Sequence, residues 1–500
     1  MLSDVERRPE LPAQSWLLQI AGNSSCLSCG DNIEVWPEGF FEGAWAGDFG
    51  KRGFASCADV FGSGARYVDG RWRLVPPSHT CEAIYALNLR RGEWLVSNSL
   101  AFIYSRATFS FSRRNSLAKK FIGIVRGIDR SPTRISTSSG TLHIIHHHNV
   151  DIAEDRLTVC PKIAVPAFAN YQDYLSYLCQ VVSRTAANAA DPKRRRAYEL
   201  CATVSSGYDS PACATVARRA GCTRAITFAN ARGGESDDGS AIAQALGLEV
   251  RTFRRGDFGP ANIAHCAEFY GTGMGGEDAA YDAVRGHLSR TILVTGFHGD
   301  KIWDRWAKPT TTLRRGDVSG SSLAEFRLVE GFIHLPLPFC GATHHDQIRA
   351  ISNSAEMLPF AIGGPYDRPI PRRIAEEAGV QRDLFGQKKK AISLLLHMDR
   401  NLLSGKARQA IIENLKVKTV RERLVYKAGC FRYALPNRTA VLGARLASVA
   451  RVKDQYVDKI SRLIVYLFSG MRYAIFEHSH PFNRLAFEWS LRKVDKRYEI

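Results

Sequence analysis

The run from Leu200 to Gly221 constrains the fold of this chain more than any other. Leu200 to Val204 is an apolar stretch that reads as a buried strand, and Pro211 to Gly221 reads as a helix. Proline at a first helical position loses nothing by lacking an N–H, Ser210 is placed to cap the helix, and Gly221 ends it. Between strand and helix lies Ser205-Ser206-Gly207-Tyr208-Asp209-Ser210. A turn of small residues in that position aims backbone N–H groups at one spot, where the helix dipole adds positive potential. That is a site for a phosphate or pyrophosphate. Asp209 in the same turn can hold a divalent cation against the anion. The bland alternative is an ordinary tight strand–helix turn.

Around this turn the chain alternates strand and helix. Strands are expected at Tyr198 to Val204, Ala225 to Ala229, Val250 to Phe253 and Thr291 to Thr295. Helices are expected at 211–220, Asp237 to Leu246, Ala261 to Tyr270 and Asp278 to Leu288. Such alternation implies a parallel sheet covered by helices, with ligands beyond the C-terminal strand ends. The ends at Ser205 and Thr295 open on that edge. Residues 1–165 are β-rich, with short apolar runs separated by Gly, Ser, Asn and Asp turns. A helix is expected from Tyr171 to Ala187, and after about residue 315 the chain reads as mostly helical. The expected fold class is α/β, divided into a β-rich domain (1–165), a parallel-sheet domain (166–400) and a helical extension (401–500).

Sixty-eight basic against 49 acidic residues in 500 give a net charge of +19, which favours polyanionic partners without choosing among them. Of the basic runs, Arg113-Arg114 and Lys193 to Arg196 read as solvated loops. Cys26-Leu27-Ser28-Cys29 with Cys57 and Cys81 has the thiolates for a zinc site, but the irregular spacing favours free thiols. His143, His146, His147 and His148 fall on a strand-like stretch whose alternation sends neighbours to opposite faces, so a solvated strand edge is expected there. Gly271 to Gly276 matches a dinucleotide fingerprint by letter. It follows a helical segment rather than a strand, and reads as a flexible loop near the substrate pocket. No run is long and apolar enough for a membrane span, and a cytoplasmic location is the default.

The pattern Ser205-x-Gly207-x-Asp209-Ser210 resembles the pyrophosphate loop of ATP pyrophosphatases, the enzymes that split ATP to AMP and pyrophosphate while adenylating a substrate. About 90 residues later, Thr295-Gly296-Phe297-His298-Gly299-Asp300-Lys301-Ile302-Trp303 resembles the second motif of asparagine synthetases. Arg372-Arg373 followed by Phe385-Gly386-Gln387-Lys388-Lys389-Lys390 is similar to the basic helix and later lysine segment of the same family. The resemblance implies an adenine-nucleotide α-hydrolase-like sheet domain preceded by an Ntn-hydrolase-like glutaminase domain. It implies ATP held by Ser205, Ser206, Gly207, Asp209, Ser210, Phe228 and Gly296, with Mg²⁺ on Asp209 and Asp300. Lys388, with Lys389 as competitor, would stabilise the departing pyrophosphate.

The chain departs from that pattern in four places. Leu2 stands where the family's glutaminases have a nucleophilic cysteine, so glutamine hydrolysis is not expected. Ser206 replaces a glycine of the loop. Phe297 can be neither acid nor base, which leaves His298 as the nearest group for deprotonating an amine. Lys301 replaces an acid. Three functions follow. The first is an AMP-forming amide ligase that joins a small-molecule or peptide carboxylate to ammonia, to nitrogen from a partner glutaminase, or to an amine. The second is a tRNA-modifying ATP pyrophosphatase, with nucleic acid possible but not favoured. The third is a catalytically silent binding protein.

Overall fold

The computed structural model describes residues 1–89, 92–111, 117–257, 263–310, 312–388, 390–393, 405–414, 423–424, 426–427, 430 and 481–499. Arg113, Arg114 and Lys389, singled out above, lie outside the described residues. So does most of the stretch after residue 393, within which Gly405–Glu413 and Pro481–Val494 are helical. The chain is a mixed α/β protein with antiparallel and parallel sheets. No helix among the described residues is long and apolar enough to cross a membrane.

The first 160 residues form two sheets. Among the described residues one has seven strands, in spatial order Asp4–Arg7, Ser24–Cys29, Trp16–Ala21, Glu93–Ser97, Ile84–Leu89, Gly140–Ile145 and Thr133–Ser136. The other has six: Arg156–Cys160, Asn149–Ala153, Arg71–Val75, Val60–Val68, Gly39–Trp45 and Glu34–Trp36. Period-two alternation explains how the first sheet is buried on both faces. Leu18, Ile20, Ile84 and Val96 point into a core shared with Phe40, Trp72 and Leu74 of the second sheet. Their neighbours Leu17, Tyr85, Leu87 and Leu95 point the other way, against Phe102 of the Leu100–Arg106 helix. The second sheet packs its outer face on a helix, α1 (Tyr171–Ala189).

A third sheet is parallel throughout. Its strands are β1 (Glu199–Thr203), β2 (Arg224–Phe228), β3 (Glu249–Phe253), β4 (Thr291–Thr295) and β5 (Ile333–Pro336), in the order β3-β2-β1-β4-β5. The chain runs outward from β1 in one direction to β3, then returns to the other side at β4. The crevice between the C-terminal ends of β1 and β4 is therefore the topological switch point, where open α/β sheets bind ligands. Helix α2 (Asp209–Arg219) follows β1. Pro211 to Ala217 are all buried, and the small side chains Ala212, Cys213 and Ala214 let α2 lie between the sheet and a third helix, α3 (Pro369–Glu376).

Several expectations change. α2 starts at Asp209 with Tyr208 as its N-cap residue. Ser210 is thus inside the helix and Pro211 is third in the first turn, where a missing N–H still costs nothing. The helix expected at Asp237 to Leu246 is shortened to Ser240–Ala245, because the Asp237 side chain is used by the loop after β1. The segment 278–288 holds a 3₁₀ turn, Ala279–Val284. β5 falls in the region expected to be helical; four residues ending in proline carry almost no periodic signal.

The histidine cluster is not a solvated edge. His143, His146 and His147 are buried, and burial pushes His143 down to about 4 and His146 down to about 3, so both rings are neutral. Nor is Arg194 solvated. It donates to Asn188 Oδ1 and to the Gly43 carbonyl, anchoring the entry to β1. Gly271 to Gly276 is mostly buried, with Gly273 against the Phe121 ring, and is not an open loop at the pocket. The described cysteines are free thiols, and no metal-holding group of three or more His, Cys, Asp or Glu exists among the described residues.

One buried polar cluster ties the antiparallel half to the parallel half. Arg327 is 2% exposed and bonds both oxygens of Glu42 at 2.9 Å, Glu82 at 2.8 Å and Gln14 at 2.9 Å. Burial pushes the Glu82 carboxyl up to about 7 against the pull of Arg327.

Candidate functional site

Beyond the C-terminal ends of β1, β2 and β4 lies a cleft of about 210 Å³. The turn after β1 contributes Ser205, Gly207, Asp209 and Ser210, β2 contributes Phe228, and the loop after β4 contributes Thr295, Gly296, His298 and Asp300. Four segments distant in sequence complete it: Asp278 with Tyr281, Asp317 with Ser319, Tyr366 with Arg368 just before α3, and 390–393.

The turn after β1 is held mostly by side chains. Ser205 Oγ lies 2.8 Å from Ser210 Oγ and accepts the Gly207 N–H at 3.3 Å. Ser206 donates its N–H at 3.2 Å and its hydroxyl at 2.8 Å to Asp237 Oδ1. Two N–H groups that a bound phosphate would use are thus engaged within the protein. The hydroxymethyl of Ser206 shows how a residue larger than glycine fits there: its hydroxyl donates to Asp237 and accepts from Lys390, both of which line the cleft, while Ser206 itself does not. Tyr208 is fully buried, with its ring against Gly386 and Phe385 and its hydroxyl accepting from Arg372. Arg372 therefore anchors the turn, whereas Arg373 pairs with Glu377 and Glu356, and neither lines the cleft.

Asp209 and the loop after β4 are in direct contact, and two glycines make this possible. A Cβ on Gly296 would lie 2.8 Å from Ser210 N and 2.9 Å from Asp209 Cβ. One on Gly299 would lie 2.5 Å from Asp209 Cγ. Real Cβ contacts of that length do not occur, so both positions need glycine for close approach. Asp300 follows immediately and lines the same cleft. Beside Asp209 stands Arg368, which is 5% exposed and ion-paired to it. Burial works against its charge, but Asp209, Tyr366 and Asp300 outweigh that and raise the guanidinium above its ordinary value. Lys301 lies 3.5 Å from Asp300.

His298 lines the cleft but is ill suited to be a base. Its backbone is left-handed (φ 76°) and its ring stacks on Phe339 at 4.7 Å. Burial first, then Arg315, push it down to about 3. An imidazole that binds a proton so weakly stays neutral near pH 7 and takes little charge from an amine. Phe297 packs edge-on against His334, whose Nε2 is 2.9 Å from Thr295 Oγ1.

Of the lysine run, Lys388 is placed away from the cleft, exposed and paired with Glu235 at 2.7 Å. Lys390 is the residue that reaches in. Its ammonium donates to Ser206 Oγ at 2.9 Å and to the Ser236 carbonyl at 2.6 Å. Arg255 fixes the following strap by donating to the Ile392 and Ser393 carbonyls, each at 2.9 Å. Sequence reasoning missed Lys390, Asp237, Tyr366 and Arg368. Only Arg368 left a usable signal, a basic residue four before Arg372.

Of the aspartates on this cleft, the pair Asp209 and Asp300 suits Mg²⁺, a hard cation that takes one or two protein carboxylates and fills its remaining positions with water and phosphate oxygens. The residues present fit such an ion, provided it shares Asp209 with Arg368. Neither a protein-family model nor a curated protein matches this chain.

Proposed function

We propose that the chain is an AMP-forming amide ligase resembling asparagine synthetase. ATP lies across the ends of β1 and β4. A substrate carboxylate oxygen attacks the α-phosphorus, pyrophosphate leaves, and an amine or ammonia then displaces AMP from the acyl carbon. The observation that carries this reading is the convergence of the Ser205–Ser210 turn, Asp209 and Asp300 on one cleft at the switch point. Asp209 and Asp300 would hold Mg²⁺, which when bound neutralises phosphate charge. Arg368 and Lys390 supply fixed positive charge on either side of the turn, where negative charge grows as pyrophosphate departs. Phe228 offers an apolar wall at the end of β2. The antiparallel half corresponds to the glutaminase domain of the resemblance, and the nitrogen is ammonia, the product of a separate glutaminase, or an amine.

ATP–pyrophosphate exchange with a panel of carboxylates tests the reading. Exchange that depends on one carboxylate, and is abolished in Asp209→Asn, is the expected result. Exchange only with tRNA present transfers the proposal to a tRNA-modifying enzyme. No exchange under either condition overturns catalysis and leaves a silent binding protein. One observation favours that last reading: Arg368 already occupies the carboxylate that a metal would need.

A further inference from the structure

A second cavity, of about 410 Å³, lies far along the chain from the cleft residues, where the strand Glu34–Trp36 meets the segment leading to β1. Its walls carry Arg7, Arg52, Lys193 and Arg195, with Glu34 as the carboxylate and Trp36 as an aromatic wall. Two of these charges are accounted for. Arg52 pairs with Glu38 at 3.1 Å and lies over the Trp36 ring. Glu34 is 5% exposed, and its Oε1 accepts the Arg195 N–H at 3.0 Å and sits 3.7 Å from Arg194 behind it. Burial raises the Glu34 carboxyl, which weakens it further as a counter-charge.

Three cations remain. Among the described residues Arg7, Lys193 and Arg195 form no ion pair with a carboxylate. Asp48, in the turn beside Lys193, accepts the Gly50 N–H at 2.7 Å. Two of the three are held by backbone carbonyls. Arg7 donates to Gly30 and Asp31 at 3.1 Å and to Ile33 at 2.9 Å, and Arg195 Nε donates to Asp31 at 3.1 Å. Converging like charges repel one another, and here carbonyl bonds fix two of them at a concave surface of ligand size. Guanidinium forks and an ammonium in that arrangement match phosphate oxygens.

We propose that this cavity binds a small phosphorylated molecule carrying two or more negative charges. The ligand bridges the antiparallel half, through Arg7, to the Lys193–Arg195 segment that leads into β1. The site is separate from the proposed ATP cleft and does not depend on it.

Calorimetric titration of pyrophosphate, ADP and adenosine into the full chain tests this. The expected result is a site for pyrophosphate or ADP, but not adenosine, that survives Asp209→Asn. Its affinity should fall about threefold in Lys193→Ala and at least tenfold in Lys193→Ala/Arg195→Ala. Tighter binding of ADP marks the source as a nucleotide, and equal or tighter binding of pyrophosphate marks it as an inorganic polyphosphate; both support the site. Lys193 is exposed, and among the described residues no hydrogen bond ties its ammonium, so the single variant keeps the fold even if the double variant does not. Anion binding unchanged in Lys193→Ala overturns the proposal. So does anion binding lost in Asp209→Asn alone, or a single-stranded oligonucleotide that competes for Lys193 far more tightly than either small anion.

Discussion

Gly299→Ala isolates the contact that brings Asp209 and Asp300 together. The added Cβ would stand 2.5 Å from Asp209 Cγ, 2.7 Å from Cβ and 2.8 Å from Oδ1. Ordinary contact needs about 3.4 Å or more, so the carboxylate or the loop must move by close to 1 Å. A displacement of that size at a reacting centre costs about 100-fold in rate. Stability should change much less. Gly299 opens a short helix and its φ is not left-handed, so alanine recovers up to about 1 kcal/mol of helix propensity. That gain offsets part of an overpacking cost of about 1–3 kcal/mol. Gly53→Ala is the control, because no atom lies within 4 Å of its added Cβ. ATP–pyrophosphate exchange and thermal denaturation read the two effects separately. Exchange down about 100-fold with Tm lowered by only a few degrees is the expected outcome. Wild-type exchange in Gly299→Ala would show that the Asp209 position does not matter to the reaction.

Three further outcomes follow. Lys390→Ala should cut exchange by about 100-fold or more, as loss of one preorganised donor does, whereas Lys388→Ala should leave it within twofold; the reverse ranking refutes the placement. Arg327→Ala strands Glu42 and Glu82 in the interior and should cost about 3–5 kcal/mol in urea unfolding, and a cost below 1 kcal/mol would mean the cluster is hydrated. Stability should fall as pH drops below 6.5. Burial holds His146, His298 and His334 near 3, so the unfolded chain takes up protons from 6.5 downward that the folded chain refuses. Glu82 near 7, with Asp59 and Asp278 near 6, acts oppositely. Their stabilising protonation is lost as pH rises from about 4 through those values, but these acids are displaced less than the histidines. A stability maximum near pH 5 would refute the assignment.

Local pattern carried the parallel sheet well, because β1, β2 and β4 are apolar runs bounded by small-residue turns. Once the switch point was implied, the meeting of Asp209 with Asp300 followed from topology. What escaped depends on contacts far apart in the chain. Whether Lys388 or Lys390 faces the cleft is decided by Arg255, some 130 residues earlier, gripping the strap. Arg368 faces Asp209 because Tyr208 and Arg372 dock α3 beside the turn. The histidine run was misread for a similar reason: alternation says which residues share a face, and cannot say that both faces are covered.

The Arg327 cluster also bears on whether the antiparallel half can be removed from the chain. Glu42 and Glu82 balance the charge of a guanidinium that belongs to the other half of the chain and is 2% exposed, and Gln14 accepts one of its hydrogen bonds. Excising the first 165 residues would leave a bare cation on a newly wetted flank beside β5. The amputated remainder would be a poorly folding fragment, because the antiparallel half serves the rest of the chain as a structural counterion.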